Sequence, residues 1–256
     1  MKRVGVVLLF VVFLVGAGCK STTPSAPVIG ITSVYKTFEN DPAAYTQTNF
    51  AYVRAVADNG GVPVVLPTVD DKSIIQRYVK DLDGLVLVGG ADIPPAAYGE
   101  TPHETVEPLT SQRYEFERKL IAAWLASDKP ILGVCLGMQF SNVVAGGSMI
   151  QDIPSEVGKT VDHKKYHRVR IAPDSSLAKL LDTTEARVFS SHHQAVDEPG
   201  AGMKIIAWSD DGVNEATERI EGGFGLFVQW HPEAGDDRAQ RDAIYGALVQ
   251  AAARQR

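Results

Sequence analysis

The chain has 256 residues, of which 45% are hydrophobic and 22% are charged, and its formal net charge at pH 7 is −6. This length and composition suit one α/β domain, or at most two small ones, with a hydrophobic core. The acidic balance leaves no basic footprint, so nucleic acid is excluded as an expected partner.

The first 27 residues predict an export signal and a tether that lie outside the fold. Lys2 and Arg3 are followed by an apolar run over residues 4–15, which is too short for a comfortable permanent membrane span. Small residues then lead into Cys19. Residues 20–27 are rich in Ser, Thr and Pro, a composition typical of an unfolded linker. The predicted organisation is therefore a signal over residues 1–19, a tether over 20–27 and one domain over 28–256.

The context of Cys19 resembles the lipidation signal of bacterial lipoproteins, although Gly16 stands where that signal usually has Leu. A plain signal peptide cleaved nearby is the alternative. On the lipoprotein interpretation, Cys19 carries lipid and the protein is exported and anchored to a membrane, on its periplasmic or cell-surface side. Cys135 is then the sole thiol of the mature protein, which excludes a disulfide framework. A lone thiol can also be a buried structural cysteine.

The remaining chain predicts strands that alternate with helices. Each early strand is a nearly unbroken apolar run, which favours a parallel sheet covered on both faces. The helix over residues 49–59 is predicted to bury Phe50, Val53 and Ala57. In the first half the predicted strands are 28–33, 62–66, 85–88 and 131–134, and the predicted helices are 49–59, 73–80, 112–127 and 136–144. The second half predicts strands near Val169, Val188, Ile205, Val213 and Phe227, and a last helix from Asp237.

The segment ILGVCLGMQ, residues 131–139, carries the clearest chemical signal. It places Cys135 at the sharp turn between a strand and a helix, as in a nucleophile elbow, and Gly133 and Gly137 allow the close approach that such a turn needs. The positive end of the helix dipole favours a thiolate there. The N–H of Leu136 would face the oxygen of a carbonyl under attack.

A second segment, VQWHPE at residues 228–233, supplies a candidate base and a group to orient it. His231 and Glu233 are two residues apart and would share one face of a continuing strand, although Pro232 leaves the local turn open. Such a pair is often structural when taken alone. Nothing in the spacing shows that it meets Cys135.

Taken together, the Gly-x-Cys-x-Gly-x-Gln elbow and the His-Pro-Glu segment resemble the class I glutamine amidotransferase superfamily. More narrowly, the chain resembles the γ-glutamyl-γ-aminobutyrate hydrolase family of cysteine peptidases, over roughly residues 28–233. The segments that carry this narrower resemblance are 89–100, 113–117, 129–133, 142–153, 191–196 and 211–216. The resemblance implies a flavodoxin-like, mostly parallel central sheet with helices on both faces and β-rich insertions in the C-terminal half.

The resemblance also implies a role for each matching residue. Cys135 would form a γ-glutamyl thioester that water hydrolyses. His231 would accept the thiol proton and then activate water, with Glu233 orienting it. The N–H groups of Gly90 and Leu136 would hold the oxyanion. The residues implied for binding the glutamyl group are Gln139, Ser191, His192, His193 and Gln194. No cofactor is implied; the partners expected are a small γ-glutamyl substrate and the membrane, and a homodimer remains open.

Other polar residues are given structural interpretations. His163 and His167 lie near Asp162, but their spacing matches no zinc pattern, so no metal is expected. Asp92 is expected to fix its own glycine-rich loop. Glu215 is expected to be a structural hydrogen-bonding group.

Two departures from the family pattern leave the substrate open. Leu136 follows the nucleophile where the hydrolases usually have Arg, and Tyr114 stands where they commonly have Asp. The alternatives are a catalytically inactive binding lipoprotein of the same fold and a γ-glutamyl peptidase acting on cell-wall or polyglutamate fragments. An amidotransferase subunit is disfavoured because export would separate it from a cytosolic partner that consumes ATP.

Overall fold

The computed structural model describes residues 25–38 and 41–255. Cys19 and the predicted signal, together with most of the predicted tether, lie outside the described residues, so those interpretations remain predictions. Among the residues that are described, no helix has both the length and the apolar character needed to cross a membrane.

The described strands and helices alternate through the first half of the chain, and strands dominate the second half. In chain order the strands are β1 (Val28–Ile31), β2 (Val34–Phe38), β3 (Asp41–Gln47), β4 (Val62–Val65), β5 (Gly84–Leu87), β6 (Ile131–Val134), β7 (Met149–Ile150), β8 (Tyr166–Ile171), β9 (Glu185–Phe189), β10 (Ala195–Val196), β11 (Met203–Ser209), β12 (Asn214–Arg219) and β13 (Gly225–Val228). The helices are α1 (Phe50–Asp58), α2 (Lys72–Asp81), α3 (Ser111–Leu125), α4 (Leu136–Val144), α5 (Ile153–Glu156), α6 (Ser176–Leu181) and α7 (Arg238–Arg254).

One large sheet organises the domain. Its parallel half has the order β4-β1-β5-β6-β13, and its antiparallel half continues as β12-β11-β8-β9. Counted in chain order, the five parallel strands are arranged 2-1-3-4-5, which is the flavodoxin-like order. The predicted fold class is therefore confirmed, including the β-rich insertion, which enters between α4 and β13.

Two apolar cores cover the sheet, one on each face. Along β5, Val86 belongs to the core beneath α1 and α7, whereas Leu85 and Leu87 belong to the core beneath α2, α3 and α4. This alternation follows from the period of two along a strand. Because both faces are covered, the early strands read as apolar runs rather than as an alternating pattern.

The elbow helix α4 lies unusually close to the sheet. A Cβ atom on Gly137 would lie 2.5 Å from the carbonyl oxygen of Leu87, and one on Gly133 would lie 2.7 Å from the carbonyl oxygen of Gly137. Both glycines are therefore required by close packing, as the sequence predicted. Their absence of side chains brings the first turn of α4 against the carboxyl end of β5.

The structure differs from the prediction at α1. Tyr52, Ala55 and Val56 are its buried residues, whereas Phe50 is 65% exposed and Ala57 is also exposed. Val53 is partly buried and packs against the core as predicted, but Phe50 and Ala57 do not, because packing against α7 and β4 sets the orientation of this short helix and an amphipathic pattern is only one contribution to it. The β2–β3 hairpin that precedes α1 was not predicted.

Candidate active site

Cys135 occupies a strained turn directly between β6 and α4. Its φ is 53° and its ψ is −110°, a backbone conformation that L residues rarely adopt, and the residue is 6% exposed. Its N–H donates to the carbonyl of Val228 on β13 at 2.8 Å, and its own carbonyl accepts from the N–H groups of Met138 and Gln139. The N–H of Leu136 precedes these first helical hydrogen bonds, as expected at a helix N-terminus. It is thus placed to stabilise negative charge next to the sulfur.

His231 and Glu233 meet Cys135 from the end of the neighbouring strand. The Nδ1 of His231 lies 2.8 Å from Oε1 of Glu233, and the ring interacts electrostatically with Cys135. Burial lowers the pKa of His231, but the charges and hydrogen bonds of Cys135 and Glu233 outweigh it and raise the pKa to about 10. At neutral pH the imidazole next to the sulfur is therefore protonated.

The geometry that joins His231 to Glu233 is a turn and not the continuing strand that the sequence suggested. Strand β13 ends at Val228, and the carbonyl of His231 accepts from the N–H groups of Ala234 and Gly235. This turn lets the carboxylate reach back to the imidazole across Pro232.

Tyr52 joins the site from α1 and was not identified from the sequence. Its hydroxyl accepts the N–H of Gly89 at 3.1 Å and lies 3.5 Å from Nδ1 of His231. Burial first, and the nearby Glu233 carboxylate second, raise the pKa of Tyr52 well above its ordinary value. The phenol therefore stays neutral beside the His231–Glu233 pair while it accepts from Gly89. Had the buried face of α1 been assigned correctly from the sequence, a tyrosine on that face would have indicated a buried hydroxyl near the site.

A buried ion pair fixes the loop that follows β5. Arg113 and Glu117 pair at 2.9 Å, and Arg113 also donates to the carbonyls of Val88 at 3.2 Å and Gly89 at 3.1 Å. Burial raises the pKa of Glu117, and Arg113 opposes this effect. Because a trans peptide is planar, fixing the Gly89 carbonyl toward Arg113 points the N–H of Gly90 the opposite way. Arg113 thereby orients the second predicted oxyanion donor.

Two cavities lie on either side of this loop. One, of about 630 Å³, is lined by Gly89, Ser191, His231 and residues of the β2–β3 hairpin and its exit, such as Gln47. The other, of about 390 Å³, is lined by charged groups of both signs beside Gly90; they are Asp92, Glu107, Asp152, Lys164 and His193. The loop after β5 thus lies between a cavity whose lining charges are those of His231 and Glu233 and a cavity lined by several further charges of both signs.

The five residues predicted to contact substrate occupy three different environments. Ser191 lines the larger cavity and His193 lines the smaller one. Gln139, His192 and Gln194 are buried. The side-chain amide of Gln139 donates to the Gln194 carbonyl at 3.0 Å, and Nδ1 of His192 lies 3.0 Å from the same oxygen. These three side chains support the loop from within.

His193 is held between two carboxylates. Its Nε2 lies 3.3 Å from Asp92 and its Nδ1 lies 3.2 Å from Asp152. The hydrogen bond to Asp92 is the largest cause that raises the pKa of His193; Asp152 adds to it, and burial opposes both. Asp92 also accepts the N–H of Glu107 at 2.7 Å, so it fixes its own loop as expected and contacts a ring at the cavity as well.

Four further residues that the sequence treated separately form one buried cluster. His163, His167, His192 and Glu215 each direct one possible ligand atom into a group whose members lie within 4.8 Å of one another. Asp162, which the sequence associated with the histidines, is outside the cluster and pairs with Lys165 at 2.9 Å. The expectation that no metal binds rested on local spacing, whereas this cluster is assembled by the fold.

The chain is similar to known proteins over nearly all of the described domain. The peptidase C26 family matches residues 27–233. The protein NtpR of Enterococcus hirae is 39% identical over 221 residues, which cover 81% of this chain and 91% of NtpR. The γ-glutamyl-γ-aminobutyrate hydrolase PuuD of Escherichia coli K12 is 28% identical over 222 residues, or 81% of this chain and 85% of PuuD. A solved glutamine amidotransferase of Thermotoga maritima shares the fold, with a TM-score of 0.57 at 19% identity over 90% of this chain and 97% of its own.

Replacing Tyr52 by phenylalanine tests its predicted positioning role. The change leaves the partly buried N–H of Gly89 without its acceptor and removes a hydroxyl that lies 3.5 Å from Nδ1 of His231. An unsatisfied buried group costs roughly 1–3 kcal/mol, so we expect kcat/KM on a γ-glutamyl anilide to fall about 10- to 100-fold, with circular dichroism unchanged.

The matched control is Tyr78→Phe, which removes a hydroxyl from a tyrosine of α2 whose ring packs edge-on against Phe116. We expect kcat/KM of this control to stay at the parent value. Equal kcat/KM for Tyr52→Phe and the parent would show that the hydroxyl does not position the triad.

Proposed function

Because this chain belongs to the peptidase C26 family, we propose that it hydrolyses γ-glutamyl amide bonds through a thioester on Cys135. The family and its characterised relatives support hydrolysis of this class of bond, and the detailed mechanism is our proposal. One observation carries it: Cys135, His231 and Glu233 converge at the carboxyl ends of adjacent strands, with a protonated imidazole beside the sulfur.

In the proposed acylation step, the Cys135 sulfur attacks the γ-carbonyl carbon and forms a C–S bond. The carbonyl oxygen gains negative charge, which the N–H groups of Gly90 and Leu136 stabilise. When the tetrahedral intermediate collapses, the C–N bond breaks and His231 gives its proton to the departing amine.

In the proposed deacylation step, His231 is neutral and accepts a proton from water, whose oxygen attacks the thioester carbon. Collapse breaks the C–S bond, releases glutamate and returns the sulfur as thiolate beside the reprotonated imidazole. Glu233 keeps Nδ1 of the ring occupied throughout, so Nε2 is left to face the sulfur and the water. The Tyr52 hydroxyl lies beside this pair, 3.5 Å from Nδ1 of the ring.

We propose that the two cavities orient the substrate. A γ-glutamyl group carries an α-ammonium and an α-carboxylate, and the smaller cavity offers Asp92 and Asp152 to the first and Lys164 and His193 to the second. We place the glutamyl end there and the departing amine in the larger cavity, whose lining charges are those of His231 and Glu233. Leu136 supplies no charge to a leaving group where the related hydrolases have Arg. The amide and peptide alternatives differ only in what occupies that larger cavity.

Covalent labelling tests the nucleophile and its base together. The full chain carrying Cys19→Ala is treated briefly with a γ-glutamyl chloromethyl ketone, and its intact mass is then measured by mass spectrometry. In the labelling reaction the sulfur forms a C–S bond as chloride leaves. We expect one adduct, mapped to Cys135, and its loss or marked slowing in His231→Ala. Release of amine from a panel of γ-glutamyl amides is measured in parallel.

The control for this labelling is Cys135→Ser, which removes the thiol and keeps the fold, and which we expect to remain unlabelled. If the parent forms no adduct and releases no amine while its thiol reacts freely after unfolding, the hydrolase proposal is wrong. The chain would then be a binding protein that keeps the fold.

The pH dependence of kcat/KM follows from the imidazolium beside the sulfur. Acylation needs a proton on His231 to give to the leaving amine, so activity should be lost as the pH rises through about 10, a value that belongs to the Cys–His pair. Since Glu233 raises the pKa of His231, Glu233→Gln should move this alkaline limb to lower pH. Profiles of kcat/KM against pH for the parent and for Glu233→Gln measure the position of the alkaline limb in each protein. Circular dichroism at each pH checks that the protein stays folded. An alkaline limb at the same pH in both proteins would contradict the assigned role of Glu233.

We also propose that the protein is exported and anchored through lipid on Cys19. The support is the order of basic, apolar and small residues before that cysteine. Cells that express the chain are grown with radioactive palmitate, and we expect the parent protein to become labelled. The label should be absent from Cys19→Ser and should persist in Cys135→Ser. Equal labelling of the parent and Cys19→Ser would rule out this anchor.

A further inference from the structure

We propose that His163, His167, His192 and Glu215 form a binding site for one divalent transition-metal ion, of which Zn²⁺ is the representative. These four residues are called the histidine cluster below. The proposal is independent of the chemistry of Cys135, because it rests on donor atoms that the proposed mechanism does not use.

The distances in the cluster fit tetrahedral coordination. The Oε1 atom of Glu215 lies 3.1 Å from Nδ1 of His163, 3.5 Å from Nε2 of His167 and 3.7 Å from Nε2 of His192. Zinc binds imidazole nitrogen and carboxylate oxygen at about 2.0–2.2 Å, so adjacent ligand atoms of a tetrahedron are roughly 3.3–3.5 Å apart. The three distances from Glu215 are close to these values, and all four ligand atoms lie within 4.8 Å of one another, so side-chain shifts of about an ångström or less would place one ion among them.

Three of the four residues face the cluster with atoms that make no hydrogen bond, whereas Nε2 of His167 lies 2.8 Å from Oγ of Ser190 and would exchange that bond for the ion. Nδ1 of His163, Nε2 of His192 and both carboxylate oxygens of Glu215 are buried and make no hydrogen bond among the described residues. Glu215 is fully buried, and the side chains of His163 and His192 are 4% and 2% exposed. Buried polar atoms are normally satisfied, and a carboxylate surrounded by three imidazoles is a typical donor set for zinc.

The outer ring nitrogens are all held in the way that metal-binding histidines require. Nε2 of His163 lies 3.0 Å from Oδ2 of Asp211, Nδ1 of His192 lies 3.0 Å from the Gln194 carbonyl, and Nδ1 of His167 lies 3.2 Å from the Arg168 carbonyl. A histidine that donates its outer N–H to an oxygen presents a lone pair on its other nitrogen. Such partners fix the tautomer of ligating histidines in metal sites. In the rings of His163 and His192 the nitrogen without a hydrogen bond is the one that faces the cluster, whereas Nε2 of His167 also lies 2.8 Å from Oγ of Ser190.

An ion could reach the cluster from the surface. A cavity of about 340 Å³ is lined by His163 and His192 together with residues of the 153–164 segment. The metal-free alternative is a buried ion pair between a protonated His163 and Glu215. That pair would account for one imidazole, and it would not explain why His192 turns an unpartnered nitrogen to the same point.

The metal would tie the wall of the active site to the sheet. His167 lies on β8 and Glu215 on β12, whereas His163 and His192 lie on two loops that also exchange a backbone hydrogen bond of 3.0 Å. His192 follows Ser191, which lines the larger cavity. The proposed ion is therefore structural, and its contribution is to hold the 190–194 loop in place.

Metal content and cobalt spectroscopy test the site directly. The full chain, with its thiols alkylated so that sulfur cannot bind, is stripped with a chelator and titrated with Co²⁺ and then with Zn²⁺. We expect one ion per chain, the strong visible bands of four-coordinate Co²⁺ without thiolate charge transfer, and displacement of cobalt by zinc. We also expect the thermal midpoint to rise with Zn²⁺ concentration, because the ion binds the folded state.

A graded series of variants locates the site. Glu215→Gln and His167→Gln each remove one ligand, and we expect the cobalt bands to be lost and the zinc affinity to fall at least about 100-fold. Asp211→Asn weakens the hydrogen bond behind His163, and the zinc affinity should fall about 10- to 100-fold. The matched control is Asp162→Asn, next to His163 in sequence but outside the cluster, and its zinc affinity should equal that of the parent.

The proposal is overturned if the folded parent binds no stoichiometric ion, or if Glu215→Gln and His167→Gln bind zinc as tightly as the parent. If both ligand variants fail to fold, the parent decides the question. Four-coordinate cobalt bands with a zinc-dependent thermal midpoint would then support the site, and a midpoint indifferent to zinc and chelator would exclude it.

Discussion

The left-handed backbone at Cys135 is the constraint on which the rest of the site depends. A non-glycine residue held in such a conformation costs of order 1–3 kcal/mol and persists only where its surroundings determine it fully. Here the N–H of Cys135 is bonded to Val228 on one side, and its carbonyl begins α4 on the other. Gly133 and Gly137 let that helix approach β5 closely enough to complete the turn. The strain is retained because it brings the sulfur to the edge of the sheet, beside the first free N–H of a helix.

The order of the strands in the sheet brings the other residues of the candidate site to this turn. Strand β6 lies between β5 and β13 in parallel register, so the segments that follow the three strands leave the same edge. Gly90 arrives from one neighbour and His231 from the other, although they are far apart in the chain. Neighbouring residues hold these groups in place: Arg113 fixes the loop after β5, and the Tyr52 hydroxyl links that loop to His231.

The features that could be predicted from the sequence are those set by residues close together in the chain. The alternation of apolar strands and helices and the glycines around Cys135 are local, and the structure confirms the elements that they predicted. Tyr52 was missed because the apolar pattern of a nine-residue helix does not fix its orientation against α7 and β4. The histidine cluster was missed because its members come from three separate stretches of the chain, 163–167, 192 and 215, so no local spacing connects the first two histidines with His192 and Glu215. Long-range assembly of this kind is set by the sheet topology and not by neighbouring residues.

The antiparallel insertion also helps to position His231. The N–H of His231 donates to the carbonyl of Phe189 at the end of β9, and the carbonyl of Glu215 accepts the N–H of Gln229 just before the base. The position of the imidazole therefore depends on the insertion as well as on β13. Phe189 is followed directly by the loop that carries Ser191 and His192. A metal ion that fixed His192 would consequently restrain both a lining residue of the cavity and the strand end that supports His231. Binding geometry and base geometry would then be stabilised by a single buried contact, without any group of that contact touching the substrate.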